Sequence, residues 1–203
     1  MPKTWESMWE PLLSEATRLC THEEAKVAPP LPRCVASVLL ARSSIDAYLS
    51  EFVEWRRLPH EVKHLRIRDA ISQIFENLSL DAPTFQEGHW NDVLLLNEVR
   101  NEAVHHKARR YKLGKSPSGL IERLAAKGVI TLPPTTKTWE NIVYSDAVAR
   151  WACSVAGRSV VYLESISRDR LRSLLIVQER VNQILSRINC SIDATGDPDD
   201  STN

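Results

Sequence analysis

Glycine is scarce in this 203-residue chain, at six residues, and period-two runs of β-branched residues are almost absent. Both shortages argue against a sheet and for helices. No apolar run approaches the roughly 20 residues that a membrane-spanning helix needs. The opening MPKTWESMWEPLL carries one lysine, then acids and tryptophans, and no apolar core of a secretion signal. Charge of one sign is also missing: 26 basic residues balance 26 acidic ones. Attraction to a polyanion must therefore come from a local patch. The four cysteines, Cys20, Cys34, Cys153 and Cys190, form no CxxC pair and no zinc spacing. Scattered thiols without a secretion signal are expected as small core residues of a cytoplasmic protein. The GxSxG, GxxxxGK and GxGxxG patterns are absent too. What remains, 43% hydrophobic and 26% charged residues, is the composition of one globular domain.

The pattern that is present is helical nearly throughout, an all-α class. Trp5, Met8, Trp9 and Leu12 predict an amphipathic helix from about Thr4 to His22, limited by Pro2 and Pro11. After Pro29-Pro30-Leu31-Pro32, a stripe of Val35, Val38, Leu39, Arg42, Ile45, Leu49, Phe52 and Val53 predicts a long helix from Arg33 to Arg57. A third helix is expected from His60 to Leu80. A fourth should start at Asn91, as its N-cap, and run to about Tyr111. A short helix from Ser118 to Lys127 should stop at Gly128. The last helical region runs from Ser145 to Ile188, with a bend near Ser165–Ser167. Three parts are expected: an N-terminal helical arm over 1–32, a helical domain over 33–190 and a disordered acidic tail over 191–203. Most of the six tryptophans should be core or interface residues, because they do not interleave with basic residues as a stacking platform would.

The chemistry concentrates in the fourth helix, NDVLLLNEVRNEAVHHKARRYK over residues 91–112. Leu95, Leu96, Val99 and Ala103 form one apolar sector, which should face the core. Val93, Asn97, Arg100, Asn101, Val104, His105 and Ala108 form a second sector of small, apolar and hydrogen-bonding residues. A solvated face would carry lysines and glutamates instead, so this sector suits a partner helix, such as the same helix of a second copy. Asn101 and His105 are i,i+4 neighbours, and the long Arg100 side chain spans the roughly 140° to His105. Arginine holds a phosphate with two parallel hydrogen bonds, and histidine moves a proton near neutral pH. That trio suits cleavage of an RNA backbone, in which a histidine activates the 2′-OH and arginine stabilises charge on phosphorus. Lys107, Arg109 and Arg110 follow as candidate contacts to the RNA backbone.

The string Arg100-Asn101-Glu-Ala-Val-His105 resembles the Arg-x4–6-His signature of the HEPN superfamily, including the polar residue after arginine that its RNases favour. The preceding helix with LLARSSIDAYLSEF and the long C-terminal helix fit the same pattern. The likeness covers roughly Arg33 to Ile166. It implies an up-down bundle of four or five main helices that dimerises through the motif helix. It also implies metal-independent endoribonuclease activity without a cofactor, with Arg100 and His105 as the catalytic pair and Asn101 at the polar position. Many such proteins are toxins with an antitoxin partner, or antiphage effectors. Others have lost cleavage and serve as modules that bind a protein partner or a nucleotide. An upstream acidic residue often contacts the motif in this superfamily, a place that Asp46 or Glu51 can fill.

Overall fold

In a computed structural model of the chain, the described residues are 7–21, 30–105, 119–131, 142–166 and 171–188. Among them the chain is all-helical: α1 (Trp9–Arg18), α2 (Pro30–Trp55), α3 (Ile67–Asn77), α4 (Gly88–His105), α5 (Leu120–Ala126), α6 (Asp146–Ser165) and α7 (Leu171–Leu185), with 3-10 turns at His60–His64 and Ser186–Ile188. No described helix is long and apolar enough to cross a membrane.

Proline placement sets the starts of the first two helices. Pro11 lies in the first turn of α1, and Pro30 and Pro32 lie in the first turn of α2. The amide groups there have no intrahelical acceptor, so the missing N–H costs nothing. The long helix therefore begins three residues before the expected Arg33. The expected third helix is divided, because Leu65 and Arg66 are extended between the 3-10 turn and α3. In one continuous helix Val62 would point about 180° away from Ile71. The break lets both reach the core, where each is buried. The bend expected near Ser165–Ser167 is the boundary between α6, which ends at Ser165, and α7.

Two helices end on a left-handed residue that is not glycine. Arg57 (φ 53°) and Ser79 (φ 54°) follow α2 and α3. In each, the next residue's amide donates back across the turn: Leu58 N to Val53 O and Leu80 N to Phe75 O, both at 2.9 Å. Gly128 (φ 68°) closes α5 in the same way, where the sequence predicted a glycine stop.

The core forms around α2 and α6. Twelve residues of α6 are buried, from Val148 to Glu164, over well more than half of the helix circumference. Helix α2 buries Val38, Ile45, Leu49, Phe52 and Val53 as expected, and also Cys34, Ser37, Ala41, Ser44 and Tyr48. Its small residues form a second buried sector, so α2 is packed on more than one side by α1, α4 and α6. Helix α1 contributes Trp9, Leu13 and Ala16 to the same core, so this part of the expected N-terminal arm packs with the domain. Cys20, Cys34 and Cys153 are buried, as are Trp9 and Trp90, whereas Trp55 is 52% exposed. The acidic tail and Cys190 lie outside the described residues.

Polar anchors sit inside this core. Tyr48 Oη and Ser173 Oγ both donate at 2.5 Å to the buried carboxylate of Glu164. Burial, then the nearby Glu164 charge, pushes the Tyr48 phenol far above its ordinary range. Arg33 donates to Leu19 O at 2.6 Å and to Asp146 Oδ1 at 2.5 Å. It thereby ties the end of α1 to the first turns of α2 and α6.

Candidate functional site

Helix α4 changes character along its length. Its first half is enclosed: Trp90, Val93, Leu95, Leu96 and Val99 are all buried. Val93 thus belongs to the core and not to the second sector, because α2 and α6 both pack against α4. The polar face opens only from Asn97 onward. Asn97, Arg100 and Asn101 are half-buried, and Val104 is 48% exposed.

Helix α4 starts at Gly88 (φ 66°), three residues before the expected Asn91. Asn91 does not cap the helix from outside; from within the first turn its side-chain amide donates to Gln86 O. Asp92 pairs with Lys127 at 2.5 Å and Arg158 at 3.1 Å, fastening α4 to the end of α5 and to α6.

Arg100 Nη1 donates to Asn101 Oδ1 at 3.0 Å. This bond fixes the amide orientation of Asn101 and turns its NH2 away from the guanidinium. Glu98 does not compete for Arg100, because it forms a two-pronged pair with Arg123 of α5. The hydrogen bonds from Arg123 to Glu98 raise the arginine's already high pKa.

One turn earlier, Arg42 of α2 donates from Nε to Asn97 Oδ1 at 3.2 Å. Arg42 is 5% exposed. Its Nη1 faces Asp46 Oδ1 at 2.6 Å as an ion pair, without the alignment of a hydrogen bond. A chain of contacts therefore runs from Asp46 through Arg42 to Asn97. At helical spacing Asn97, Asn101 and residue 105 follow one another along a single stripe of α4. Glu51 is engaged elsewhere: it accepts from Ser7 Oγ and from the Met8 amide, each at 2.8 Å, at the start of α1. Of the two acids considered, Asp46 is the one joined to the motif helix, and its side chain remains 60% exposed.

His105 is the last described residue of α4, its side chain is not among those described, and the expected continuation to Tyr111 lies outside the described residues. Lys107, Arg109 and Arg110 lie outside the described residues. The structure thus joins Arg100 to Asn101, and Asp46 to Asn97 through Arg42. Sequence reasoning assigned no part to Arg42 beyond the apolar stripe. An arginine inside such a stripe was the available signal, since a buried guanidinium needs partners.

An aromatic cluster lies at the other end of α4. His89 stacks on Tyr162 at 5.7 Å, and Trp90 meets Tyr162 edge-on at 5.1 Å and Phe75 edge-on at 5.9 Å. Ser159 Oγ spends its proton on Val155 O at 2.8 Å, so it accepts from His89 Nε2 at 3.1 Å. The histidine is then the Nε2–H tautomer. Burial, then the Arg158 charge, lowers its pKa to about 3.

No family model matches the chain, and no solved structure matches it. Calcineurin B homologous protein 3 of Xenopus laevis is 35% identical over 66 residues. That stretch takes in 32% of this chain and 28% of the frog protein. A likeness of that extent assigns this chain to no family.

Proposed function

We propose that the chain is a HEPN-type, metal-independent endoribonuclease that acts as a homodimer through α4, with a toxin or antiphage role. The observation that carries this reading is the Arg100–Asn101 hydrogen bond, on the stripe of α4 that Arg42 and Asp46 brace through Asn97. The all-helical class and the long motif helix also favour it. So does Val104, an exposed apolar residue on the motif face that a second copy of α4 would cover.

In this mechanism the fork of Arg100 binds two non-bridging phosphate oxygens. Asn101, held by Arg100, presents its NH2 to the same phosphate. His105 takes the proton from the ribose 2′-OH, and the freed oxygen attacks phosphorus. The bond to the 5′-oxygen breaks as that oxygen receives a proton from the same histidine of the second copy. The products are a 2′,3′-cyclic phosphate and a 5′-hydroxyl. Arg100 offsets charge that builds up only as the fifth oxygen approaches. Lys107, Arg109 and Arg110, which follow His105 in the sequence, attract the strand.

Expression in a bacterial host tests the reading. Wild type should arrest growth, and His105→Ala and Arg100→Ala should not. Light scattering should give a dimer at micromolar concentration, with Val104→Glu shifting it to monomer. Full tolerance of wild type, with a dimer intact, would favour the second reading, a cleavage-silent module that binds a protein or nucleotide. A strict monomer would remove the composite cleft altogether.

A further inference from the structure

The buried seam between α1, α2 and α6 holds two thiols in contact. Cys20 Sγ lies 4.0 Å from Cys153 Sγ, although the residues are 133 positions apart. Ser37 of α2 touches both: its Oγ is 3.0 Å from Cys20 Sγ and 3.6 Å from Cys153 Sγ. Ser37 is itself anchored by a 2.8 Å hydrogen bond to Ala16 O. We propose that Cys20 and Cys153 form a reversible disulfide when the protein meets a peroxide, with Cys20 as the attacked thiol and Cys153 as the resolving one.

Three features support this assignment of roles. The first is position. Cys153 is fully buried in the middle of α6, whereas Cys20 is 5% exposed and lies two residues past the end of α1. Its amide there makes a turn bond to Thr17 O at 2.9 Å. A disulfide needs an S–S separation of about 2.05 Å, so the sulfurs must close by about 2 Å. A residue in a turn gives that movement more cheaply than one inside a helix.

The second is electrostatic. The thiol hydrogen of Cys153, directed at Cys20, favours the Cys20 thiolate, and the Arg33 charge adds to it against the cost of burial. The same bond, together with burial, raises the Cys153 thiol well above the ordinary range. The nucleophile is therefore Cys20. The third is the engagement of Cys34 with a different partner. Cys34 points at Asp146 Oδ1 at 3.5 Å, and burial followed by that charge pushes its pKa up to about 12.

The chemistry balances in two steps. The Cys20 thiolate attacks one oxygen of hydrogen peroxide, the O–O bond breaks, and with one proton taken up the products are Cys20 sulfenic acid and water. Cys153 sulfur then attacks the sulfenic sulfur. Its thiol proton leaves with the hydroxyl as a second water, and the S–S bond forms. A dithiol reductant reverses the bond by exchange.

The test uses the full chain, reduced, desalted and exposed to hydrogen peroxide before free thiols are alkylated and the protein is mass-analysed. The expected result is loss of two hydrogen atoms and a digest peptide joining Cys20 to Cys153. Dithiothreitol should remove it. The cross-link should survive Cys34→Ser and vanish in Cys20→Ser and Cys153→Ser; alanine variants replace any serine variant that fails to fold. Closing so long a loop should raise the thermal midpoint by about 10 °C. Alkylation of both Cys20 and Cys153 after peroxide would overturn the proposal. So would Cys20 sulfinic acid without a cross-link, or a bridge that uses Cys34 or Cys190.

Discussion

The Nε of Arg42 lies 3.2 Å from the Oδ1 of Asn97, and this bond joins the long helix α2 to the motif stripe of α4. Arg42 is almost completely buried, while its acidic partner Asp46 is largely exposed. The guanidinium therefore depends on Asn97 as well as on Asp46 for its satisfaction. Removing the Asn97 side chain would leave a buried charged donor unpaired, at a cost of about 2 kcal/mol. Asn97→Ala should lower the unfolding free energy by that amount in urea titrations with an unchanged slope.

Arg42 also separates stability from positioning. Arg42→Lys keeps a charge near Asp46 but loses the planar fork that reaches Asn97. In the proposed nuclease, this variant should fold and dimerise yet cleave at least ~10-fold more slowly, with the effect in kcat and little change in KM. An effect confined to KM would mean that Arg42 contributes to RNA binding and not to the set of the stripe.

The helix ends at Arg57 and Ser79 make a separate prediction. Both residues occupy left-handed conformations that cost an L-residue roughly 1 kcal/mol and cost glycine little. Arg57→Gly and Ser79→Gly should each raise stability by about 0.5 to 1 kcal/mol, and the gains should add, because the sites close different helices. Loss of stability in both variants would show that the side chains contribute more than the backbone strain costs.

His89 links the aromatic cluster to pH. Its folded pKa, about 3, lies below the ordinary histidine value of 6.5. Above pH 6.5 the ring is neutral in both states and contributes no pH dependence. As pH falls from 6.5 toward 3, the unfolded chain binds a proton that the folded chain refuses, so stability declines by up to ~1.4 kcal/mol per unit. Wild type should lose about 2 kcal/mol between pH 7 and pH 5 from this group. His89→Gln, which keeps a donor for Ser159, should lose that much less over the same interval.

Helical class was legible from glycine scarcity and 3–4 spacing, and the breaks at Gly128 and near Ser165 followed from residue type. Helix starts were less legible. Proline reads as a breaker until its place in the first turn is known, and so α2 begins at Pro30. The left-handed ends at Arg57 and Ser79 carry no glycine to announce them. Val93 was placed on the wrong face because a helical wheel assumes one buried side, whereas the start of α4 is covered by two neighbours. The choice between Asp46 and Glu51 could not come from spacing, since both lie on α2. It depends on where Arg42 reaches and on the start of α1 taking Glu51.

The central claim is RNA cleavage by the stripe that begins at Asn97 and ends at His105. The most direct measurement incubates the purified protein with total RNA and tRNA in EDTA, beside Arg100→Ala and His105→Ala, and identifies the new ends. The account predicts cleavage by wild type alone, leaving 2′,3′-cyclic phosphate and 5′-hydroxyl ends. Intact RNA in all three reactions, from a dimeric and folded wild type, would contradict it.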